Sequence, residues 1–327
     1  MTLMDRRKFA QAMAGAGLLT ALTQGSYAWA NNDSLIRLVV PFAPGGGGDV
    51  LGRLFAEKMG PILKKTIIVE NKPGGSTTIG SDLVAKAKPD GNTILLSIPL
   101  LIQTYFLMKK LPYDPFTDLT PVVDLVRNPL WIAVSTQKTA ANNLAELVKE
   151  VKTNPKAHVY GSIGNGSTSH ILGNHLNKVA GVDMLHVPYR GSAQVSMALA
   201  SGEITMTILD LVTLGPLLPS GKIKLIGVTG AERSRLTPDV ATLTEQGYPG
   251  FEIPTWAGFF VPKNTPRNVI QALHEASLKV MSMPDVQARL KDLGYVPGGS
   301  STEDFQKLLD QERVRWDRLI KGSGIEI

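Results

Sequence analysis

The 327-residue sequence contains no cysteine, which excludes a disulfide, a thiolate zinc site and a cysteine nucleophile. It has 34 Lys and Arg against 28 Asp and Glu, with no long basic run, so nucleic-acid binding has little support. No apolar run reaches the roughly 20 residues that a membrane-spanning helix needs. These absences predict an ordinary globular protein whose mild positive charge suits an acidic ligand.

Signatures of cofactor and metal sites are also missing. The glycine run 45–48 is not followed by the Gly-Lys-Ser/Thr of a phosphate-binding loop, and its glycines do not have the dinucleotide-binding spacing. His170 and His175 are five residues apart and do not share one helix face as zinc ligands do. We therefore expect no cofactor and no metal.

An enzyme remains the alternative class of function. Ser167, His170 and Asp210 have the side chains of a hydrolase set, which would make the chain a periplasmic hydrolase. However, no Gly-x-Ser-x-Gly turn surrounds Ser167. We therefore expect a protein that is not an enzyme.

The first 30 residues read as an export signal. Arg6-Arg7 gives a twin-arginine region, residues 10–22 are mildly apolar, and Ala28-Trp29-Ala30 is a small-residue cleavage site. A membrane anchor is the alternative, but glycine and polar residues interrupt the apolar stretch. We expect cleavage near Ala30 and a soluble periplasmic chain of about 297 residues, long enough for two lobes.

A glycine-rich loop organises the remaining chain. An apolar β-type run at 35–40 leads through Pro41 into four glycines, and Asp49 follows at the position expected for a helix N-cap. Glycines let the backbone turn with its N–H groups unscreened by side chains. Such a turn at a helix N-terminus is suited to an anion such as a carboxylate.

Strand and helix patterns alternate along the chain. The first lobe shows strands at 35–40, 66–70 and 93–97 with helices between them, which predicts a mostly parallel sheet covered by helices on both faces. Ligands bind at the carboxyl ends of such strands. The Pro- and Asp-rich segment 111–128 is interpreted as a connection to a second α/β series that starts near Leu130.

A second loop resembles the first. Residues 164–169 are rich in Gly and Ser, follow a predicted strand and precede a predicted helix, so they are suited to hold another anion. A third strand end carries residues 186–191. Two such loops favour a clamp with one carboxylate at each jaw, although strand-to-helix turns are also Gly- and Ser-rich for geometry alone.

These segments together carry a family resemblance. Residues 40–49, 70–74, 161–170, 186–191 and 256–266 resemble the Bug family, the TctC-like substrate-binding proteins of tripartite tricarboxylate transporters. The resemblance covers nearly the whole chain after the signal. It implies a periplasmic-binding-protein-like Venus flytrap of two α/β lobes with a ligand cleft between them. We place lobe 1 at 31–130 and 257–327, and lobe 2 at 131–256.

The resemblance also implies a function and a site. Family members bind small carboxylated solutes, and many pair with a membrane permease, so we expect a monomeric receptor that serves a tripartite tricarboxylate-type transporter or a sensor. At positions 75–77 Gly-Ser-Thr replaces the more usual Ala-Gly-Gly. From the loops and strand ends we expect ligand contacts from Phe42, Ala43, Pro44, Gly45, Asp49, Ser76, Thr77, Ser97, Gly166, Ser167, Thr168, His170, Arg190 and Asp210.

Several of these residues have structural alternatives. His170 can pack or bind a loop carbonyl, and Arg190 can form a surface salt bridge. Asp210 can cap a helix that begins near Leu211, or it can face the cleft and accept a hydrogen bond from a ligand hydroxyl or amine. Phe42 can belong to the core. The ligand also stays open among aliphatic di- and tricarboxylates, aromatic acids and neutral amides.

Overall fold

A computed structural model describes residues 35–253, 255–323 and 325, and the predicted export signal lies outside this part of the chain. Two β-sheets organise the described residues. Sheet 1 has the spatial order β11-β4-β10-β3-β1-β2. Its strands are β1 (Leu35–Val40), β2 (Thr66–Asn71), β3 (Thr93–Ser97), β4 (Leu119–Asn128), β10 (Thr255–Pro262) and β11 (Val296–Pro297).

Sheet 2 has the spatial order β7-β6-β8-β5-β9. Its strands are β5 (Trp131–Ser135), β6 (Val159–Ser162), β7 (Leu185–Pro188), β8 (Met206–Leu209) and β9 (Ile223–Val228). The α-helices are α1 (Gly47–Leu63), α2 (Thr78–Ala85), α3 (Leu100–Leu107), α4 (Leu144–Thr153), α5 (Thr168–Ala180), α6 (Ser192–Ala200), α7 (Leu211–Leu214), α8 (Arg267–Met281), α9 (Pro284–Asp292) and α10 (Thr302–Ser323). None of the helices in the described chain is long and apolar enough to cross a bilayer.

The two-lobe α/β fold is confirmed. In sheet 1, β1 pairs in parallel with β2 and β3, as the alternation of strands and helices predicted. Both sheets are nevertheless mixed, because β10 runs antiparallel to β3 and β4, and β5 runs antiparallel to β8 and β9. The carboxyl ends of the parallel strands carry the loops that the sequence analysis singled out.

The interpretation of residues 111–128 as a connection is wrong at its C-terminal half. β4 occupies Leu119–Asn128 and pairs with β10 along its length. The prolines in this segment argue against a strand, because proline has no backbone N–H to donate to a neighbouring strand. Pro121 is tolerated because it lies beside a register shift, and β11 covers β4 only at Val126 and Arg127.

The chain leaves sheet 1 after Asn128 and returns to it at Thr255. The Thr255 hydroxyl joins these two passages by donating to the Asn128 carbonyl at 2.6 Å. The outgoing passage is also held by the Leu130 N–H, which donates at 2.8 Å to the hydroxyl of Thr229 after β9. The exact lobe boundaries, 31–130 with 257–327 and 131–256, stay a prediction.

The apolar core joins the two sheets. One contiguous buried cluster includes Leu95 and Phe260 from sheet 1 with Ile132 and Met206 from sheet 2. Helix α10 contributes Trp316, whose indole N–H donates to the buried Glu312 carboxylate at 2.6 Å. Burial of this apolar surface stabilises each lobe and brings the strand ends of both sheets toward one cleft.

Asp124 anchors the segment after β11 to β4. Its side chain is fully buried, and Oδ1 accepts hydrogen bonds from the Ser300 N–H at 2.8 Å and from the Gly299 N–H at 3.2 Å. Oδ2 accepts from the Arg127 guanidinium at 2.9 Å.

Replacing this carboxylate tests the anchor. We expect Asp124→Ala to lower the free energy of unfolding by about 3 kcal/mol, because it leaves buried donors without a partner. Urea unfolding followed by circular dichroism measures this loss. The exposed Asp239→Ala is the control, with a change within about 0.5 kcal/mol. An equal free energy of unfolding for the two variants would contradict the anchoring role of Asp124.

Candidate functional site

A cavity of about 80 Å³ lies between the two sheets. One water molecule needs roughly 10–15 Å³ by the same measure, so the space suits a small organic molecule. Polar groups come from the loops after the strands, and the floor is apolar. The lining includes Gly46, Gly47, Gly48, Thr168, Ser169, Ser192, Asp210 and Tyr295, with Leu51, Ile98, Leu130, Ile208 and Trp256 among the apolar residues.

Three helix N-termini meet at this cavity. Gly46 is the N-cap of α1 and supplies no side-chain cap, Thr168 and Ser169 open α5, and Ser192 opens α6. The first-turn N–H groups of a helix have no partner within the helix. They carry the positive end of the helix dipole, so the converging N-termini favour an anion.

The described lining of the cavity contains no cationic side chain. The described residues that line the cavity include no Lys, Arg or His, and their one charged side chain is Asp210. This lining offers an anion main-chain N–H groups and hydroxyls rather than a salt bridge. Arg190, which the sequence suggested as a partner for a carboxylate, is exposed and does not line the cavity.

Asp49 has a different place from the one the sequence indicated. Helix α1 begins at Gly47, so Asp49 is its third residue and not the N-cap. Its carboxylate accepts hydrogen bonds from Gly45 N–H at 3.0 Å, Arg53 Nε at 3.0 Å and Asn71 Nδ2 at 2.9 Å. It thus closes the glycine loop from behind by accepting the N–H of Gly45, the residue before the N-cap Gly46.

The charge of Asp49 is stabilised by this network. Burial alone would raise the pKa of its carboxyl group, but the hydrogen bonds from Arg53, Gly45 and Asn71 and the Arg53 charge outweigh burial and lower it. Asp49 is therefore ionised and occupied by protein donors. The Gly45 N–H, a predicted ligand contact, is engaged by the same carboxylate.

The second-lobe loop is held in a similar way by its own side chains. Ser167 is fully buried, donates to the Gly164 carbonyl at 2.7 Å and caps α5 by accepting from the His170 N–H. The Gly166 N–H donates to His170 Nδ1 at 3.0 Å. These three residues build the turn, while the adjacent Thr168 and Ser169 line the cavity.

A pair of stacked imidazoles supports this loop. The rings of His170 and His186 lie 3.7 Å apart at an angle of 6°, and His186 Nε2 lies 2.6 Å from the Ser162 hydroxyl. Burial lowers the pKa of His170 to about 4. Burial, followed by repulsion from His170, lowers the pKa of His186 to about 3. Both rings are therefore neutral at pH 7.

Two hydrogen bonds join the lobes beside the cavity. The Ser76 hydroxyl donates to the Asn165 carbonyl at 2.8 Å, and the buried Gln103 Nε2 donates to the Thr168 hydroxyl at 2.7 Å. Ser76 and Thr77 have φ values of 51° and 77°, in the left-handed region that favours glycine. The family resemblance implies glycine as the more usual residue at both of these positions.

Asp210 caps a helix and also lines the cavity, and its predicted hydrogen bond to a ligand stays a prediction. Its Oδ1 accepts from the Thr213 N–H at 2.9 Å and caps α7, and the side chain also lines the cavity. Burial raises the pKa of its carboxyl group, while the hydrogen bonds from Thr213 oppose the rise. A Cβ atom on Gly47 would lie 2.5 Å from Asp210 Oδ2 and 2.8 Å from the Tyr295 hydroxyl oxygen.

The predicted site residues therefore divide into two groups. Phe42, Ala43, Thr168 and Asp210 line the cavity. The others surround it or lie behind it: Pro44, Gly45, Asp49, Ser76, Thr77, Ser97, Gly166, Ser167, His170 and Arg190. Ligand contact by any of the 14 stays a prediction.

The list of expected ligand contacts lacks Ser169, although the loop 164–169 was predicted to hold an anion, and it also lacks Ser192 and Tyr295. Ser192 begins α6 directly after the segment 186–191, so its first-turn position was the available signal. Tyr295 follows α9, far along the chain from the loops, and no sequence signal places it here.

Comparisons with known proteins identify the family. The model of the family TctC, "Tripartite tricarboxylate transporter family receptor", matches residues 51–325. The chain belongs to this family. The resemblance of the sequence to Bug and TctC-like proteins is thereby confirmed.

Solved structures agree with this TctC-family assignment. Rpa4515 from R. palustris with adipate has a TM-score of 0.85 at 32% identity, covering 89% of this chain and 98% of the other. The periplasmic binding protein BugD has a TM-score of 0.84 at 34% identity, with coverage of 89% and 98%. MatC from Rhodopseudomonas palustris with bound malate has a TM-score of 0.83 at 31% identity, with coverage of 88% and 98%.

The stacked pair of His170 and His186 predicts how the free energy of unfolding depends on pH. The folded-state pKa values of about 4 and about 3 lie below the unfolded value near 6.5. The neutral rings therefore stabilise the fold fully above about pH 6.5, and this contribution is lost as pH falls from about 6.5 through about 4.

Urea unfolding at pH 7.5 and pH 5 measures this dependence. We expect the wild type to lose stability at pH 5, and we expect His186→Phe, which keeps a stacked ring without a titratable group, to lose less. His175→Gln, away from the pair, should keep the wild-type dependence. A loss that is equal in wild type and His186→Phe would contradict the role of the pair.

Proposed function

We propose that this TctC-family protein is a periplasmic receptor that captures a small carboxylated solute between its two lobes. The observation that carries the proposal is the convergence of three helix N-termini on one cavity without a cationic side chain among the described lining residues. Uncapped amides at the start of α1 supply donors for one carboxylate, and the starts of α5 and α6 supply donors from the opposite lobe.

Similar proteins support this ligand class. Rpa4515 was solved with adipate and MatC with malate, and both have TM-scores above 0.8 with this chain. Each of these ligands is a small dicarboxylate. A dicarboxylate, a tricarboxylate or an aromatic acid of similar size is the class that the cavity and the relatives favour here.

Capture follows from hinge closure around the solute. The ligand first meets the loop at 42–49 and is then covered as Thr168 and Ser192 approach from lobe 2. The hydrogen bonds from Ser76 and Gln103 form only when the lobes meet, so they favour the closed state. Closure excludes water and strengthens each hydrogen bond to the carboxylate.

The receptor acts as a monomer and delivers its solute to a tripartite tricarboxylate-type permease, or reports it to a sensor. The family description supports the transporter role. Export through the twin-arginine signal brings the chain to the periplasm, the compartment named for BugD.

The hydrolase alternative has less support from the geometry. The Ser167 hydroxyl donates to the Gly164 carbonyl, and the His170 ring nitrogen Nδ1 accepts from Gly166 rather than pairing with Ser167. Asp210 lines the cavity, whereas Ser167 does not. These three side chains do not form the nucleophile, base and orienting acid of a catalytic triad.

A thermal-shift screen of the purified protein tests the proposal. Mono-, di- and tricarboxylates and aromatic acids are compared with their neutral amides and esters. A ligand at 100 times its Kd stabilises the folded state by about 2.7 kcal/mol, which raises Tm measurably. We expect one acid class to raise Tm and its neutral analogues not to. Stabilisation by no acid at all would contradict a carboxylate receptor.

Replacing Gly47 by alanine tests whether closure of the lobes over the cavity creates the ligand site. Its missing Cβ leaves room for Asp210 and Tyr295, so Gly47→Ala forces one of them away when the lobes close. We expect Kd for the acid found in the screen to rise about tenfold or more, as measured by calorimetry.

Gly215→Ala is the matched control, because only one atom, at 3.9 Å, would meet its Cβ and its backbone is helical. It should bind the acid as the wild type does. An unchanged Kd in folded Gly47→Ala would argue against the closed site.

The twin-arginine pair predicts the route of export. We expect replacement of both Arg6 and Arg7 by Lys to retain the protein in the cytoplasm, since this signal is read through its two arginines. Fractionation of cells followed by immunoblotting measures the distribution. Replacement of Lys8 by Arg is the control and should leave export intact. Normal periplasmic accumulation of the double Lys variant would refute the assignment.

A further inference from the structure

We infer that the captured acid carries a hydrogen-bond donor that Asp210 accepts, so the preferred ligands are hydroxy- or amino-carboxylates rather than unsubstituted acids. The inference rests on the proposed carboxylate-binding function and specifies the substrate class of the same cavity. It is carried by the position of Asp210 and by the charges of the lining.

The two oxygens of Asp210 have different surroundings. Oδ1 accepts the Thr213 N–H and caps α7. Oδ2 lies on the side of Gly47 and Tyr295, two residues that also line the cavity, and among the described residues the hydrogen bonds to Asp210 come from Thr213. Capping a four-residue helix uses one oxygen, so the second acceptor remains for a group inside the cavity.

The place of Oδ2 also fixes where the ligand's donor lies. A Cβ atom on Gly47 would be 2.5 Å from Oδ2, so the start of α1 and this oxygen nearly touch. A carboxylate held by the amides of Gly47 and Gly48 therefore has its neighbouring carbon close to Asp210. A hydroxyl or ammonium group on that carbon reaches Oδ2, and only one configuration at the carbon points it there.

Charge disfavours a second ligand carboxylate placed against Asp210. No cationic side chain among the described lining residues compensates Asp210. A second ligand carboxylate placed against Oδ2 would meet an uncompensated like charge, whereas a hydroxyl or ammonium group donates to it.

Tyr295 leaves the acceptor role to Asp210. Burial, followed by the nearby Asp210 charge, raises the pKa of the Tyr295 hydroxyl, so this side chain is neutral and adds no charge to the cavity. Burial also raises the pKa of Asp210, while the hydrogen bonds from Thr213 oppose the rise. A ligand donor at Oδ2 would favour the charged form of the carboxylate.

Calorimetry with matched ligands tests the inference. The probes are succinate, both enantiomers of malate and both enantiomers of aspartate, with adipate and 2-hydroxyadipate as a longer pair. Each pair shares its carboxylates and differs only in the donor. The wild type, Asp210→Asn and the surface control Asp239→Asn are compared. The amide side chain in Asp210→Asn keeps an acceptor oxygen for the Thr213 N–H, and urea unfolding verifies that the variant is folded.

We expect one enantiomer of a hydroxy- or amino-acid to bind the wild type at least tenfold more tightly than its unsubstituted partner, as for a hydrogen bond to a charged group. In Asp210→Asn this ratio should fall to about threefold or less, with binding of the unsubstituted acid maintained or improved. Asp239→Asn should retain the wild-type ratio.

Two results would overturn the inference while leaving the receptor function intact. One is equal binding of substituted and unsubstituted acids by the wild type, and the other is a preference that Asp210→Asn retains. Failure of every acid to bind any variant would instead refute the proposed function itself. The two failures are thus distinguishable.

Discussion

The proposed function depends on a cavity that compensates the charge of an anion without a cationic side chain among the described lining residues. Among the described residues that line the cavity, Asp210 is the one charged side chain and it is negative. The positive potential of the lining therefore comes from the starts of α1, α5 and α6, of which α1 and α6 have no side-chain cap. Backbone donors are fixed by the fold and lose little freedom on binding, so the two sheets serve mainly to aim helix ends at one point.

Small residues make that convergence possible. Glycine at 47 lets α1 approach Asp210 and Tyr295 closely, and a Cβ at Gly46 would meet the Ser192 hydroxyl of the opposite lobe. Larger groups are kept behind the loops, where Asp49 and His170 hold the turns by accepting the N–H groups of Gly45 and Gly166. Main-chain N–H groups at the helix starts are thus exposed to the cavity, and the side chains behind the loops hold these turns in place.

Sequence reasoning predicted the local features and missed the tertiary ones. The strand, glycine turn and helix at 35–63 were recognisable because apolar runs and glycine act locally. Asp49 was misplaced because an N-cap and a third-position acid look alike in one sequence. β4 was missed because the prolines in residues 111–128 argue against a strand. The fold accommodates Pro121 because it lies beside a register shift and β11 pairs with β4 only at Val126 and Arg127. Tyr295 could not be found, since only folding brings it to the loops.

A crystal structure of the protein with an acid that raises its Tm tests the central claim most directly. The account predicts a carboxylate inside the cavity, with its oxygens roughly 2.7–3.2 Å from the backbone nitrogens of Gly47 or Gly48 and with donors from Thr168, Ser169 or Ser192 on the other side. A carboxylate bound through a Lys or Arg side chain, or outside the space between the sheets, would contradict it.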